Sequence, residues 1–221
     1  MGTSASPGQG ALAADYVYLR KAVGWLGTLL PVLLLVANPI ALRIVHSSCA
    51  WLPASVSGYY YSPVRNIFVG ALCALGLFLI AYVGDNLGDR VITDLAGLFA
   101  LGVALVPTTP TVTKPASLAC ETVARLSRRE QVVGDIHAVS SVLFFVFLAW
   151  MAIRFTTNSP QDARRNWVYR ICAIAILASV AAAVITNYLP SSLWPPFPWL
   201  FLYEAAGVFA FGVSWFVKGA A

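Results

Sequence analysis

Six stretches of nearly uninterrupted apolar residues, separated by short polar joins, divide this chain. They run from Ala22 to Leu42, from Ser62-Pro63 to Val83, from Val91 to Val106, from Val132 to Ile153, from Trp167 to Leu189 and from Pro198 to Val217. Each approaches the ~20 residues a helix needs to cross a bilayer, so each predicts a transmembrane helix. The third is short, ~24 Å by helical rise, and predicts a helix tilted little or packed inside the bundle. The second has a sharp start, where Ser62 offers an N-cap hydroxyl ahead of Pro63 at the first helical position.

The joins carry clear punctuation. Loop one, Arg43 to Tyr61, holds Cys49, Pro53 and the run Tyr59-Tyr60-Tyr61. Loop two is the acidic turn GDNLGDR. Loop three opens with VPTTPTVTKP and continues into CETVARLSRREQ, which predicts an amphipathic interfacial helix. Loops four and five are NSPQDARR and PSSLWPPFP. Small residues at four-residue spacing, Gly70 with Ala74 and Ala178 with Ala182, predict close backbone approach between helices.

Composition agrees. Of 221 residues, 59% are hydrophobic and 10% charged, and the mean hydropathy is +0.78. A soluble domain carries about 25% charged residues, so a water-facing surface could not be covered here. The expected fold is therefore all-α: an integral membrane bundle of six transmembrane helices over residues 20–218, behind a disordered tail of small and polar residues over 1–19. Arg20 and Lys21 before the first apolar stretch imitate a secretory signal. That stretch is too long for a signal's apolar region and contains Pro31 and Pro39, which predicts an uncleaved first span.

The net charge of +5 is the usual basic excess at span ends and not a nucleic-acid footprint; no basic run is long enough for a lipid clamp, and membrane lipid is the expected partner of the apolar bundle. Arg20, Lys21, Arg90, Arg154, Arg164, Arg165, Arg170 and Lys218 fall on the side of the N-terminus, against Arg43, Arg65, Lys114, Arg125, Arg128 and Arg129 on the other. Eight against six biases both termini toward the cytoplasm. Cys49 and Cys120 then share the outer, oxidising face and predict a disulfide, while Cys73 and Cys172 lie inside spans.

Candidate chemistry sorts by depth. Toward the outer face lie Tyr60, Arg65, Asp135, His137 and Glu204. Glu204 sits about 9 Å down the sixth span, where a lone carboxylate is costly and must be protonated or paired. Arg65 and His137 enter the membrane from the same face, so the three predict a polar ligand-binding site in the outer half of the bundle. The competing reading is a buried ion pair kept for packing. Toward the inner face lie Asp85, Asp89 and Asp94, opposite the basic loop four. Asp94 falls in the predicted first turn of the third span, and pairing with Arg164 or Arg165 is plausible there. Ser140 lies one turn from His137, but no GxSxG accompanies it. No catalytic set, metal site or cofactor is called for by these residues. Interfacial belts account for the outer tyrosines and tryptophans. The pattern favours a protein that binds or senses a lipid or small ligand. A small proton-coupled transporter using Glu204 and a metal-dependent membrane hydrolase are the alternatives.

The segments SGYYYSPVRNIFVGALCALGLFLIAY, DLAGLFALGVALVPTTP, IHAVSSVLFF, RNWVYRICAIAIL and YEAAGVFAFGVSWFVKG resemble a family of bacterial six-span membrane proteins, a domain of unknown function (family nine-nine-eight, DRAM-like group). The resemblance covers about residues 20–218 and implies a multi-pass protein of the bacterial plasma membrane. It implies recurrent positions at Tyr59, Tyr60, Tyr61, Arg65, Asp94, His137, Glu204, Trp215 and Lys218, and no activity. Membrane hydrolases of the alkaline-ceramidase type are a more distant likeness. They carry a histidine pair four apart near the last span, and this chain has none.

Overall fold

Good helix formers at Ala11, Ala13 and Ala14 follow Pro7, which suits a first helical turn, and in the computed structural model the first helix accordingly opens at Pro7. The structure describes residues 7–47, 49–84, 86–112, 122–123, 125–157, 162–189 and 197–220. Six helices carry the fold: α1 (Pro7–Ile44), α2 (Arg65–Ala81), α3 (Leu87–Leu105), α4 (Arg128–Thr157), α5 (Ala163–Tyr188) and α6 (Trp199–Gly219). A 3-10 helix, Ser57–Tyr61, sits in loop one, and Thr111–Val112 pairs in parallel with Thr122–Val123. The start of α1 therefore takes in much of the expected tail.

Four helices, α1, α4, α5 and α6, are long and apolar enough to cross a membrane. The other two fall short for physical reasons. α2 has 17 residues, ~25 Å of rise, and α3 begins with Asp89, Arg90 and Asp94 in its first two turns. Helix starts also move from the expected places. Ser62 does not cap α2, whose N-cap is Val64; its hydroxyl accepts from the Val64 N–H at 3.3 Å and donates to the Tyr59 carbonyl at 2.9 Å. Asn86 caps α3 by accepting from the Asp89 N–H at 3.1 Å, which puts Asp89, and not Asp94, in the first turn. Of the expected interfacial helix in loop three, only the residues from Arg128 onward are helical among those described.

Each helix packs on its neighbours in sequence and α6 returns onto α1, so the six close into a ring, with α4 also reaching α6. Helix direction alternates. One end of the ring gathers Arg20 of α1, Tyr82 after α2, Asp89 of α3, Arg154 of α4, Tyr169 of α5 and Trp215 of α6. The interior is aliphatic and aromatic, with Leu34, Leu75, Leu79, Leu148, Phe68, Phe155, Phe211 and Trp215 fully enclosed.

The outside is apolar too. Val36, Leu98, Trp150, Ile174 and Phe209 are each at least half exposed. α5 keeps only 22% of its most apolar stretch buried, against 44% in α4 and in α6. Such a surface suits hydrocarbon and would be an aggregation surface in water.

Backbones meet through glycine, but not through the expected pairs. Gly70 has open space where a Cβ would go, and Ala178 is exposed. The tight seams are Gly27 and Gly212 between α1 and α6, and Gly76 and Gly97 between α2 and α3. A Cβ on Gly212 would stand 2.6 Å from the Thr28 nitrogen, and one on Gly97 would stand 2.5 Å from the Gly76 carbonyl oxygen. Backbone cannot yield there, so overpacking should cost ~1–3 kcal/mol. Gly212→Ala is expected to lower the detergent melting temperature, and Gly70→Ala to leave it unchanged or raise it through helix propensity. Melting curves of the two variants check this; equal losses would show that the α1–α6 seam is looser than described.

Candidate functional site

At the end of the ring opposite Arg20 and Trp215, loop one folds across the helix ends instead of hanging free. The Asn38 amide on α1 donates to the Trp51 carbonyl at 2.8 Å. The Phe201 N–H at the start of α6 donates to the Ala54 carbonyl at 3.0 Å. The Tyr61 hydroxyl donates to the Thr108 carbonyl, just past α3, at 2.6 Å. Tyr59 is fully enclosed, its ring edge-on to Phe201, and burial alone pushes its phenol up to about 12. These ties hold the loop as a cap over the bundle.

Glu204 supplies the strongest tie. One carboxylate oxygen accepts from the Ser57 N–H at 3.1 Å and the other from the Ser57 hydroxyl at 3.2 Å. The carboxylate of α6 thereby closes the N-terminus of the 3-10 helix, where amide protons lack intrahelical acceptors. The expected grouping of Glu204 with Arg65 and His137 is not what the structure shows. Among the described residues the ion pairs are Arg90–Asp94, Arg154–Asp89 and Arg165–Asp162, and none joins those three. Arg65 is exposed and folds back on its own segment: its guanidinium lies 4.1 Å from the centroid of the Tyr60 ring and donates to the Tyr60 hydroxyl. A charged head that can stay at the bundle rim does so while its stem packs on apolar surface.

His137 is buried on α4, and its Nδ1 lies 2.7 Å from the Val106 carbonyl at the C-terminus of α3. A carbonyl can only accept, so this partner assigns the proton to Nδ1 and leaves Nε2 with a lone pair in the neutral ring. Nε2 is buried with no hydrogen-bond partner among the described residues. Ser140 is not paired with the imidazole. Its hydroxyl bonds back to the Ile136 carbonyl at 2.8 Å, in the usual way of a serine inside a helix.

Asp135, His137 and Glu204 line a cavity of about 770 Å³, together with loop one, Thr108, Thr109 and the facing sides of α4, α5 and the start of α6. Tyr60 and Arg65 are not in its wall. Its apolar part comes from Val139, Val142 and Leu143 on α4 and Val180, Ala183 and Val184 on α5. Val139, Val142 and Val184 are themselves exposed, so the described residues leave the cavity open sideways between α4 and α5. Ser57, Ser141, Ser179 and Tyr203 also belong to the wall and were not singled out from sequence. Ser57 stood beside the flagged tyrosine run, and the others looked like ordinary helix residues.

Of the three aspartates expected to cluster, Asp89 and Asp94 take different ion-pair partners. Asp85 lies outside the described residues. Asp89 is enclosed and meets the Arg154 guanidinium at 2.7 Å, with Asn86 donating to its other oxygen at 3.0 Å. Asp94 is half-buried and stands 4.0 Å from Arg90, one turn away. Among the described residues the ion pair of Arg165, the other expected partner beside Arg164, goes to Asp162, which caps α5, at 3.0 Å. Arg154 is the residue missed from sequence. Nearby, the buried Lys218 ammonium lies 5.3 Å from the centroid of the Phe155 ring. Among the described residues no group of three His, Cys, Asp or Glu side chains could hold a metal. Cys73 and Cys172 are free thiols, and no two described cysteines bond to each other; Cys120 lies outside the described residues.

Removing Glu204's carboxylate strands the Ser57 donors, whereas an amide keeps one acceptor for them. Glu204→Ala should cost ~1–3 kcal/mol in a detergent melt and Glu204→Gln about half of that or less. Equal, negligible losses would show that the carboxylate does not hold loop one. Comparison of the chain with protein-family models, curated proteins and solved structures finds no match.

Proposed function

We propose that this chain is a multi-pass membrane protein that takes a lipid or small amphiphile into the cavity between loop one, α4, α5 and α6. The observation that carries the reading is the buried His137 Nε2, unpartnered among the described residues in the wall of a cavity of about 770 Å³. Ligand sites are concave and mostly apolar, hold a few fixed polar groups, and commonly fall between the helices of bundles. A buried polar atom without a partner costs free energy unless a partner arrives. The sideways opening at Val142 and Val184 fits a ligand that comes from the bilayer.

The proposal includes all six helices as spans, with α2 and α3 crossing a locally thinned bilayer or shielded by their neighbours. It places both termini in the cytoplasm, as the basic-residue count favours. The Cys49–Cys120 bridge is part of it, since both loops belong to the cavity end in the alternating arrangement. The resemblance to the uncharacterised bacterial six-span family is compatible with this role. A binding or sensing role is preferred to a hydrolase, because Glu204's oxygens are occupied by Ser57 and Asp135 stands at the rim.

Native mass spectrometry of protein released from gentle detergent tests the reading. The wild type is expected to retain a bound lipid or amphiphile. Ala183→Trp, which fills the cavity from α5, should lose it at unchanged melting temperature. Identical retention in both proteins would place the bound molecule elsewhere and remove the cavity from the proposal.

A further inference from the structure

We infer that the cavity selects an amphiphile with a protonated amine over a neutral or anionic one, an inference that rests on its being a ligand site. The argument is a count of hydrogen-bond roles. The described wall contains two carboxylates, Asp135 and Glu204, and no lysine or arginine. Arg65, which could have balanced them, turns out to Tyr60 and takes no part in the wall. His137 has committed its proton to the Val106 carbonyl and presents only a lone pair.

The hydroxyls continue the pattern. Five of the nine in the described wall have committed their protons: Tyr61 to the Thr108 carbonyl at 2.6 Å, Ser62 to the Tyr59 carbonyl at 2.9 Å, Ser141 to the His137 carbonyl at 3.0 Å, Ser179 to the Ala175 carbonyl at 2.8 Å and Ser57 to Glu204 at 3.2 Å. What they turn toward a ligand is oxygen lone pairs. An ammonium group brings three donors and a positive charge to such a wall, and its bonds to carboxylates are the stronger, charge-assisted kind. A carboxylate or phosphate would bring only acceptors to those lone pairs, and would meet the Asp135 carboxylate in the same wall. The apolar flank of Val139, Val142, Val180 and Val184 then receives the tail.

The amine could be carried by a free long-chain base or by the headgroup of an aminolipid, and one experiment separates these. Protein in uncharged dodecyl maltoside micelles is titrated with dodecylamine, dodecanol and dodecanoate. The melting shift is read against Ala183→Trp as the baseline for micelle partitioning. Dodecylamine is expected to bind at least about tenfold more tightly than the other two. Asp135→Asn, at an exposed position that makes no hydrogen bond among the described residues, should reduce that preference about tenfold without the folding risk of changing Glu204. Competition by lysophosphatidylethanolamine, and not by lysophosphatidylglycerol, identifies the aminolipid as the source. Binding of dodecylamine without that competition identifies a free amine. Equal or tighter binding of dodecanoate or dodecanol overturns the charge selectivity while leaving the cavity as a site. No shift above the Ala183→Trp baseline with any of the three overturns both.

Discussion

Hydrocarbon offers no hydrogen bonds, and this sets the terms for every polar group in the bundle. With valine, leucine, isoleucine and tryptophan side chains covering the outside, a polar atom must find its partner within the protein or at a helix end. The hydroxyls inside the helices show this. Thr28, Ser140, Ser179 and Ser214 each return a hydroxyl proton to a carbonyl of their own helix, at 2.9, 2.8, 2.8 and 2.7 Å. Backbone amides and carbonyls of the spans close on themselves, and what is left over is concentrated at the two ends of the ring.

The two ends resolve the leftover polarity differently. At the Arg20 and Trp215 end the polar groups are set among aromatic rings. Asp89 on α3 is enclosed against Arg154 on α4, Lys218 lies over Phe155, and Tyr82, Phe155, Tyr169 and Trp215 interlock around them. Breaking such a pair from one side leaves a buried charge, so it fixes the register of α3 against α4 more than it adds stability. At the opposite end the polar groups are spent on a loop. Glu204, Asn38 and the Phe201 amide hold loop one across the helix ends, and space remains beneath it. A loop tied down over an acceptor-lined cavity is what distinguishes this end. It is also why the functional reading belongs there and not at the aspartates.

Periodicity and length made the helices legible, because an apolar run near twenty residues has few other uses. The boundaries shifted where polar residues continue a helix past its apolar part, as Arg128 to Gln131 do for α4 and Leu87 to Arg90 for α3. The residues of the outer site were partly legible: Asp135, His137 and Glu204 were conspicuous as ionisable groups inside apolar stretches. Their partners were not. Charge alone suggested that Glu204 would seek Arg65, yet a 3-10 turn no pattern announces brought Ser57 to it, and Arg65 had an adjacent aromatic face at no cost in burial. In the same way Gly70 looked like a packing glycine by its spacing, whereas seam positions depend on which helix face meets which, and only the assembled ring decides that.

Spin-label accessibility tests the underlying claim most directly. Nitroxides are placed singly at Val36, Trp150, Ile174 and Phe209, exposed positions on α1, α4, α5 and α6, in protein reconstituted in lipid. The account predicts that all four relax with dissolved oxygen far more than with a water-soluble nickel chelate. Preferential relaxation by the chelate at these positions would mean that water, and not hydrocarbon, bathes the bundle.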